Sequence, residues 1–122
     1  MSSDEAPRPV LLTDEVRAQL NSVSTATLTN QLQRKGIRST FLTGLKPIKP
    51  GLRMLGYAHT LRFVPVREDL NAEYTSGQNA QRRAIESLAP EEVLVIEARG
   101  VPGAGTFGDI FALRARAVAP AA

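Results

Sequence analysis

The chain has 122 residues, 43% hydrophobic and 22% charged, with 15 Lys+Arg against 12 Asp+Glu, which fits one soluble domain able to bury roughly two-thirds of its unfolded surface. It has no cysteine and a single histidine, His59, so thiolate metal sites, iron–sulfur clusters, cysteine nucleophiles, disulfide frameworks and multi-histidine metal sites are excluded. No apolar run approaches the ~20 residues of a membrane-spanning helix, and Met1 to Arg8 lacks the basic start and apolar stretch of a secretion signal; a cytoplasmic protein without membrane contact is expected.

Met1 to Pro9 mixes Ser, Asp, Glu and Pro without periodicity, so residues 1–12 are expected to form a flexible tail and residues 13–122 the folded domain. Thr13 reads as the N-cap of a first helix reaching about Asn21. Asp14 and Glu15 face its positive end, and Val16, Leu20 and Val23 share one face. Ser24 or Thr25 caps a second helix in which Leu28 and Leu32 lie one turn apart and Arg34 and Lys35 precede a closing Gly36. Phe41 to Gly51 carries Lys46-Pro47 and Lys49-Pro50, which break any helix and predict a short extended segment ending in a turn at Gly51.

Arg53 to Val66 is rich in β-branched and aromatic residues between Gly and Pro, and is the first strong strand candidate. Leu70 to Gln78 is ambiguous. Asn79 then caps a helix predicted over Ala80 to Leu88, and Pro90 bars its continuation. Val93-Leu94-Val95-Ile96 is a continuous apolar run of the kind that fills a strand buried on both faces, and is expected at the centre of the sheet. A glycine-rich stretch, Gly100 to Gly108, leads into a last helix whose Phe107, Ile110, Phe111 and Leu113 mark a face that must pack on something.

Charge is unevenly spread. No acidic residue lies between Glu15 and Glu68, an interval that includes Arg17, Arg34, Arg38, Lys46, Lys49, Arg53 and Arg62. Such a segment attracts phosphates, carboxylates or an acidic partner, or else forms a basic solvated face. Aromatic residues make up only 5% of the chain and are not interleaved with the basic ones, so direct nucleic-acid binding is not expected. Arg62 lies in the strand pattern, with an ion pair to a carboxylate such as Glu97 as its expected role. His59 reads as a packed or surface residue rather than a catalytic base. Arg82 and Arg83 fall on the exposed side of the third helix, open to an acidic protein partner or serving solubility alone.

Gly103, Gly105 and Gly108 spell G-x-G-x-x-G after a strand and before a helix. The dinucleotide reading fails because it needs a further strand and an acidic residue about 20 positions onward, whereas Asp109 is the last acidic residue. No Gly-Lys-Ser/Thr follows either, so a Walker loop is absent. What survives is more general. Glycines let a backbone approach a ligand, and the amides of Asp109, Ile110 and Phe111 open a helix N-terminus, a pocket suited to the carboxylate of a small oxo-acid. The alternative is a glycine-rich turn in which Asp109 only helps to cap its helix.

The succession Ser24-Thr25-Ala26-Thr27-Leu28, Gly44-Leu45-Lys46-Pro47, Pro50-Gly51, Gly56-Tyr57-Ala58-His59-Thr60-Leu61-Arg62, Val93-Leu94-Val95-Ile96 and Gly108-Asp109-Ile110-Phe111-Ala112 resembles the RraA-like family, which includes regulators of ribonuclease activity and the 4-hydroxy-4-methyl-2-oxoglutarate aldolases. Asn79 to Glu86 looks like the branch labelled ribonuclease activity regulator. The resemblance implies an α/β fold, a swivelling β/β/α domain with a central mixed sheet, assembled as a homotrimer with sites between subunits. It implies a metal-dependent carbon–carbon lyase (aldolase or oxaloacetate decarboxylase) acting on a small 2-oxo acid with Mg²⁺ or Mn²⁺. Gly108, Asp109, Ile110 and Phe111 would bind the substrate carboxylate, with Phe111 where the family has Leu, and Asp109 would be catalytic, orienting a water for proton transfer.

Asp109 also fits the first position of the family's metal motif, but the Arg and the second Asp of that motif fall beyond Ala122, so no metal ligand is assigned within the chain. On the same resemblance the chain is expected to be a C-terminally truncated or frame-shifted member, its domain incomplete at the C-terminus. The alternative function implied is a protein-binding regulator that masks a ribonuclease or its helicase partner without a metal.

Overall fold

The computed structural model describes residues 11–75, 77 and 79–119; most of the expected tail, and Gln78 at the end of the ambiguous stretch, lie outside the described residues. The chain divides between Leu55 and Gly56 into two compact units.

In the first unit, α1 (Asp14–Ser22) starts where Thr13 Oγ1 accepts the Val16 amide at 3.3 Å, with Asp14 and Glu15 in its first turn. α2 (Thr25–Arg34) starts where Ser24 Oγ accepts the Thr27 amide at 3.1 Å. Each such cap contributes about 1 kcal/mol by satisfying an otherwise orphaned amide. The expected end of α2 is a Schellman turn: the Gly36 amide reaches the Gln33 carbonyl (2.9 Å) and the Ile37 amide the Leu32 carbonyl (3.0 Å). Gly36 adopts φ +81° there, a conformation that penalises any side chain. The carbonyls of Leu20 and Val23, at the end of α1, accept from the Arg53 guanidinium, the first at 2.9 Å. Arg17 donates to the Leu55 carbonyl at 3.3 Å. The stretch between these ties contains no helix or strand, and it turns at Gly51 as expected, with φ +81°.

The second unit is a β-α-β arrangement followed by a helix. β1 (Tyr57–Arg62) and β2 (Glu92–Glu97) pair in parallel, in register from Tyr57↔Glu92 to Arg62↔Glu97. Between them run a 3₁₀ turn (Glu68–Leu70), α3 (Asn71–Thr75) and α4 (Ala80–Glu86), and after them α5 (Asp109–Val118). β1 alternates as a half-buried strand should: Tyr57, His59 and Leu61 turn inward while Ala58, Thr60 and Arg62 are exposed. Leu61, Ile85 and Leu88 form the buried core under α4. Gly56 is required where β1 begins, because a Cβ there would lie 2.3 Å from the Glu91 carbonyl oxygen.

The α/β class is thus observed, with a small parallel sheet. Two boundaries and one strand position differ from expectation. The strand foreseen over Arg53 to Val66 spans only Tyr57–Arg62; the Phe63 amide makes the last ladder bond, to the Glu97 carbonyl (2.9 Å), and Pro65 has no amide to offer. α4 stops at Glu86, ahead of Pro90: Ser87 is its C-cap, with its amide still on the Arg83 carbonyl, and the Leu88 amide tightens to the Ile85 carbonyl three residues back. β2 is not central among the described residues: it pairs with β1 alone, and Val93 to Ile96 are half-buried rather than buried. A central place needs a strand on each edge, and among the described residues β1 is the single strand neighbour of β2, while burial of both faces needs a packed layer on each side of the sheet. No described helix is long and apolar enough to cross a membrane.

Candidate functional site

The glycine-rich segment leaves the C-terminal end of β2, where ligands of open α/β sheets commonly bind. Arg99 (φ 59°) and Gly100 (φ 63°) reverse the chain, and the Arg99 amide is held by Glu97 Oε1 at 2.7 Å. Hydrogen bonds from Val101 to Ala98 and from Ala104 to Val101 tighten the loop. Its far end is fixed from α4, where the Gln81 side-chain amide donates to the Thr106 carbonyl. α5 is fixed to the same helix by a fork: Arg114 Nε and Nη2 donate to Glu86 Oε1 and Oε2 at 2.8 and 2.6 Å. The Arg114 guanidinium holds the Glu86 carboxyl below its usual range, and Glu86 in turn raises Arg114. Across the entrance to α5, the Phe107 and Phe111 rings stack with centroids 6.3 Å apart.

At the start of α5, Gly108 is the N-cap, extended at φ −124° with no side-chain cap. Asp109 Oδ1 accepts the Ile110 amide at 2.8 Å. The amides of Asp109 and Phe111 have no hydrogen-bond partner among the described residues. At this turn Asp109 thus occupies the Ile110 amide and leaves those of Asp109 and Phe111 without a partner among the described residues. Gly108, Asp109 and Ile110 are exposed and Phe111 is half-buried. A Cβ at Gly103, Gly105 or Gly108 would meet nothing within 4 Å, so crowding within the chain does not explain these glycines.

The four predicted site residues are together by chain continuity. A groove of about 280 Å³ that they do not line lies beyond β1, between Leu61 to Val66 and the start of α4. Gln81 lines that groove while holding the Thr106 carbonyl, and so connects it to the loop.

The strands carry two further polar contacts. Arg62 pairs with Glu97 at 3.1 Å, the expected ion pair, with both side chains well exposed. His59 Nδ1 lies 2.8 Å from Glu92 Oε2, and the same oxygen accepts the Ala89 amide at 2.9 Å. These contacts, the Ala89 amide first and His59 second, hold the Glu92 carboxyl below its ordinary range. His59 thus has a structural partner. Neither the His59–Glu92 contact nor the Glu86–Arg114 fork was foreseen, because each joins residues about 30 positions apart with no local pattern to mark them.

The residues described do not fit Mg²⁺ or Mn²⁺. Among them no group of three or more His, Asp or Glu stands close enough to hold a metal ion, and a hard cation takes about six oxygen ligands. Asp109 is moreover engaged with its own turn.

The family model described as RraA-like, Aldolase/RraA, matches residues 25–120. No curated protein and no solved structure matches the chain.

Proposed function

Since the chain belongs to the RraA-like family, we propose that it binds the carboxylate of a small 2-oxo acid at the turn formed by Gly108, Asp109, Ile110 and Phe111. The observation that carries this reading is the pair of unpartnered amides, Asp109 and Phe111, at the start of a ten-residue helix. An anion there gains two charge-assisted hydrogen bonds and the favourable end of the helix dipole, about 0.3–1 kcal/mol for the latter when exposed. Rotation of the Asp109 side chain off the Ile110 amide would present a third donor. The freed carboxylate would then lie beside the bound acid, where it can orient a water for proton transfer.

Aldol cleavage or decarboxylation of such an acid needs an acceptor for the enolate electrons, the role a divalent metal fills when bound. The described residues do not provide that metal's ligands, so binding rather than carbon–carbon bond cleavage is the activity assigned to this chain, in the cytoplasm. Titration of ¹⁵N-labelled protein with oxalate or pyruvate tests it. The amides of Gly108 to Phe111 should shift, with or without a chelator, and added Mg²⁺ or Mn²⁺ should not speed oxaloacetate decarboxylation beyond the free ion. Shifts scattered over the surface, or none, would refute the assignment.

A second reading is favoured by the exposure of Ile110 (77%) and Leu113 (68%) on one side of α5. This apolar face suits a neighbouring protein surface, either another copy in a trimer or a ribonuclease or helicase that the chain regulates. Complex formation that survives EDTA but is lost in Leu113→Glu would support it.

A further inference from the structure

The segment Arg38 to Leu55 combines three properties that seldom coincide. It makes no backbone–backbone hydrogen bond among the described residues. Its large apolar side chains face water: Leu45 is 73% exposed, Ile48 98% and Met54 81%, with Phe41 and Leu52 also exposed. Its only charges are positive, and Arg38, Lys46 and Lys49 have neither a hydrogen bond nor an ion pair among the described residues. Lys-Pro repetition keeps the segment out of helix, and Arg53 and Arg17 tie its C-terminal end to the α1 side of the first unit.

A basic solvated face explains the lysines but not the apolar side chains between them, which would bury surface only against a partner. We propose that this segment is a docking surface for an acidic, apolar polypeptide segment of another protein. The charge complementarity requires an anionic occupant, and the alternation of Leu45, Lys46, Ile48 and Lys49 asks for acidic and apolar groups close together on it. The unpaired backbone decides between polypeptide and lipid. A polypeptide can supply donors and acceptors to the main-chain groups that Pro47 and Pro50 leave available, whereas a hydrocarbon layer would leave those groups unsatisfied. A nucleic acid would satisfy the charge while leaving the aliphatic side chains uncovered, with only Phe41 available for stacking.

The test uses the full chain and a fluorescein-labelled peptide of alternating Glu and Val, followed by anisotropy at increasing salt. Binding should weaken with salt, and a Lys–Val peptide of equal length should not bind. The double variant Lys46→Glu/Lys49→Glu should lower affinity at least about tenfold, corresponding to roughly 1.4 kcal/mol, and Ile48→Ser several-fold. Both changes lie at exposed positions, so the melting curves should overlay that of the parent. Equal binding by parent and variants, or adsorption to phosphatidylglycerol vesicles without peptide binding, would overturn the proposal. So would self-association, measured by sedimentation, that accounts for the loss of exposed surface without the peptide.

Discussion

Arg114 on α5 grips Glu86 on α4 through two parallel hydrogen bonds of 2.8 and 2.6 Å, a geometry that fixes the helix carrying the candidate turn as well as its charge. The guanidinium fork is directional in a way a lysine is not, because both donors lie in one plane. Arg114→Lys should therefore keep the charge pair but loosen α5, and faster hydrogen exchange at its amides should show this. The Glu86 carboxyl titrates lower folded than unfolded. Its contribution is present above the unfolded value of about 4.3 and disappears as pH falls through the folded one. The exchange difference between parent and variant should shrink over that acidic window.

Glu92 gives a second pH dependence with the same sign. Its carboxyl is lowered by the Ala89 amide and by His59, so it stabilises the β1–β2 pairing at neutral pH and ceases to do so in acid. Glu92→Gln should lower the melting temperature at pH 7 and leave it nearly unchanged below the folded value. A variant that melts with the parent at pH 7 would show that the contact in the structure adds nothing.

Local chemistry accounts for the parts of the fold that were legible in the sequence. Thr13, Ser24 and Asn79 cap the helices assigned to them, because a cap depends on residues three positions apart. Gly108 and Asp109 open the helix that the glycine-rich run foretold. What pattern could not supply was pairing. The apolar run Val93 to Ile96 describes a strand that wants two neighbours, and only the three-dimensional pairing reveals one among the described residues. The candidate turn could be read as a chain segment, whereas the Gln81 contact that fixes the loop before it joins residues 25 positions apart and leaves no local pattern.

Two glycines separate crowding from ligand approach. Gly56→Ala would drive a Cβ against the Glu91 carbonyl at 2.3 Å and should disrupt the start of the sheet. Gly108→Ala meets nothing within 4 Å, at a φ that alanine accepts, and should cost about 1 kcal/mol at most, through the poorer N-cap that alanine makes. If an oxo-acid sits on the turn, that same mild substitution should also weaken oxalate binding by narrowing the approach to the backbone. Calorimetry on both variants distinguishes the two roles.

Ile85 and Ile110 make a matched pair for the core. Ile85 is 1% exposed and Ile110 77%. Ile85→Ala should cost about 3 kcal/mol through lost burial and a residual cavity, while Ile110→Ala should fall within about 0.5 kcal/mol. Urea titration of both variants measures the difference. Similar losses at the two sites would mean that α5 buries Ile110 in solution, as the second functional reading requires in the presence of a partner.

Asp109 is where stability and binding oppose each other. Its carboxylate satisfies the Ile110 amide at 2.8 Å and places a negative charge at the helix start, worth about 0.5 kcal/mol. A ligand carboxylate must displace it from that amide and approach a like charge. Asp109→Ala should therefore lower stability slightly while tightening oxalate binding, most clearly at low salt, where the removed repulsion is least screened. Asp109→Asn should fall between the two, since it removes the charge but keeps an acceptor for the amide. Weaker oxalate binding by both variants would mean that Asp109 contacts the ligand favourably rather than competing with it, and the displacement step would have to be abandoned.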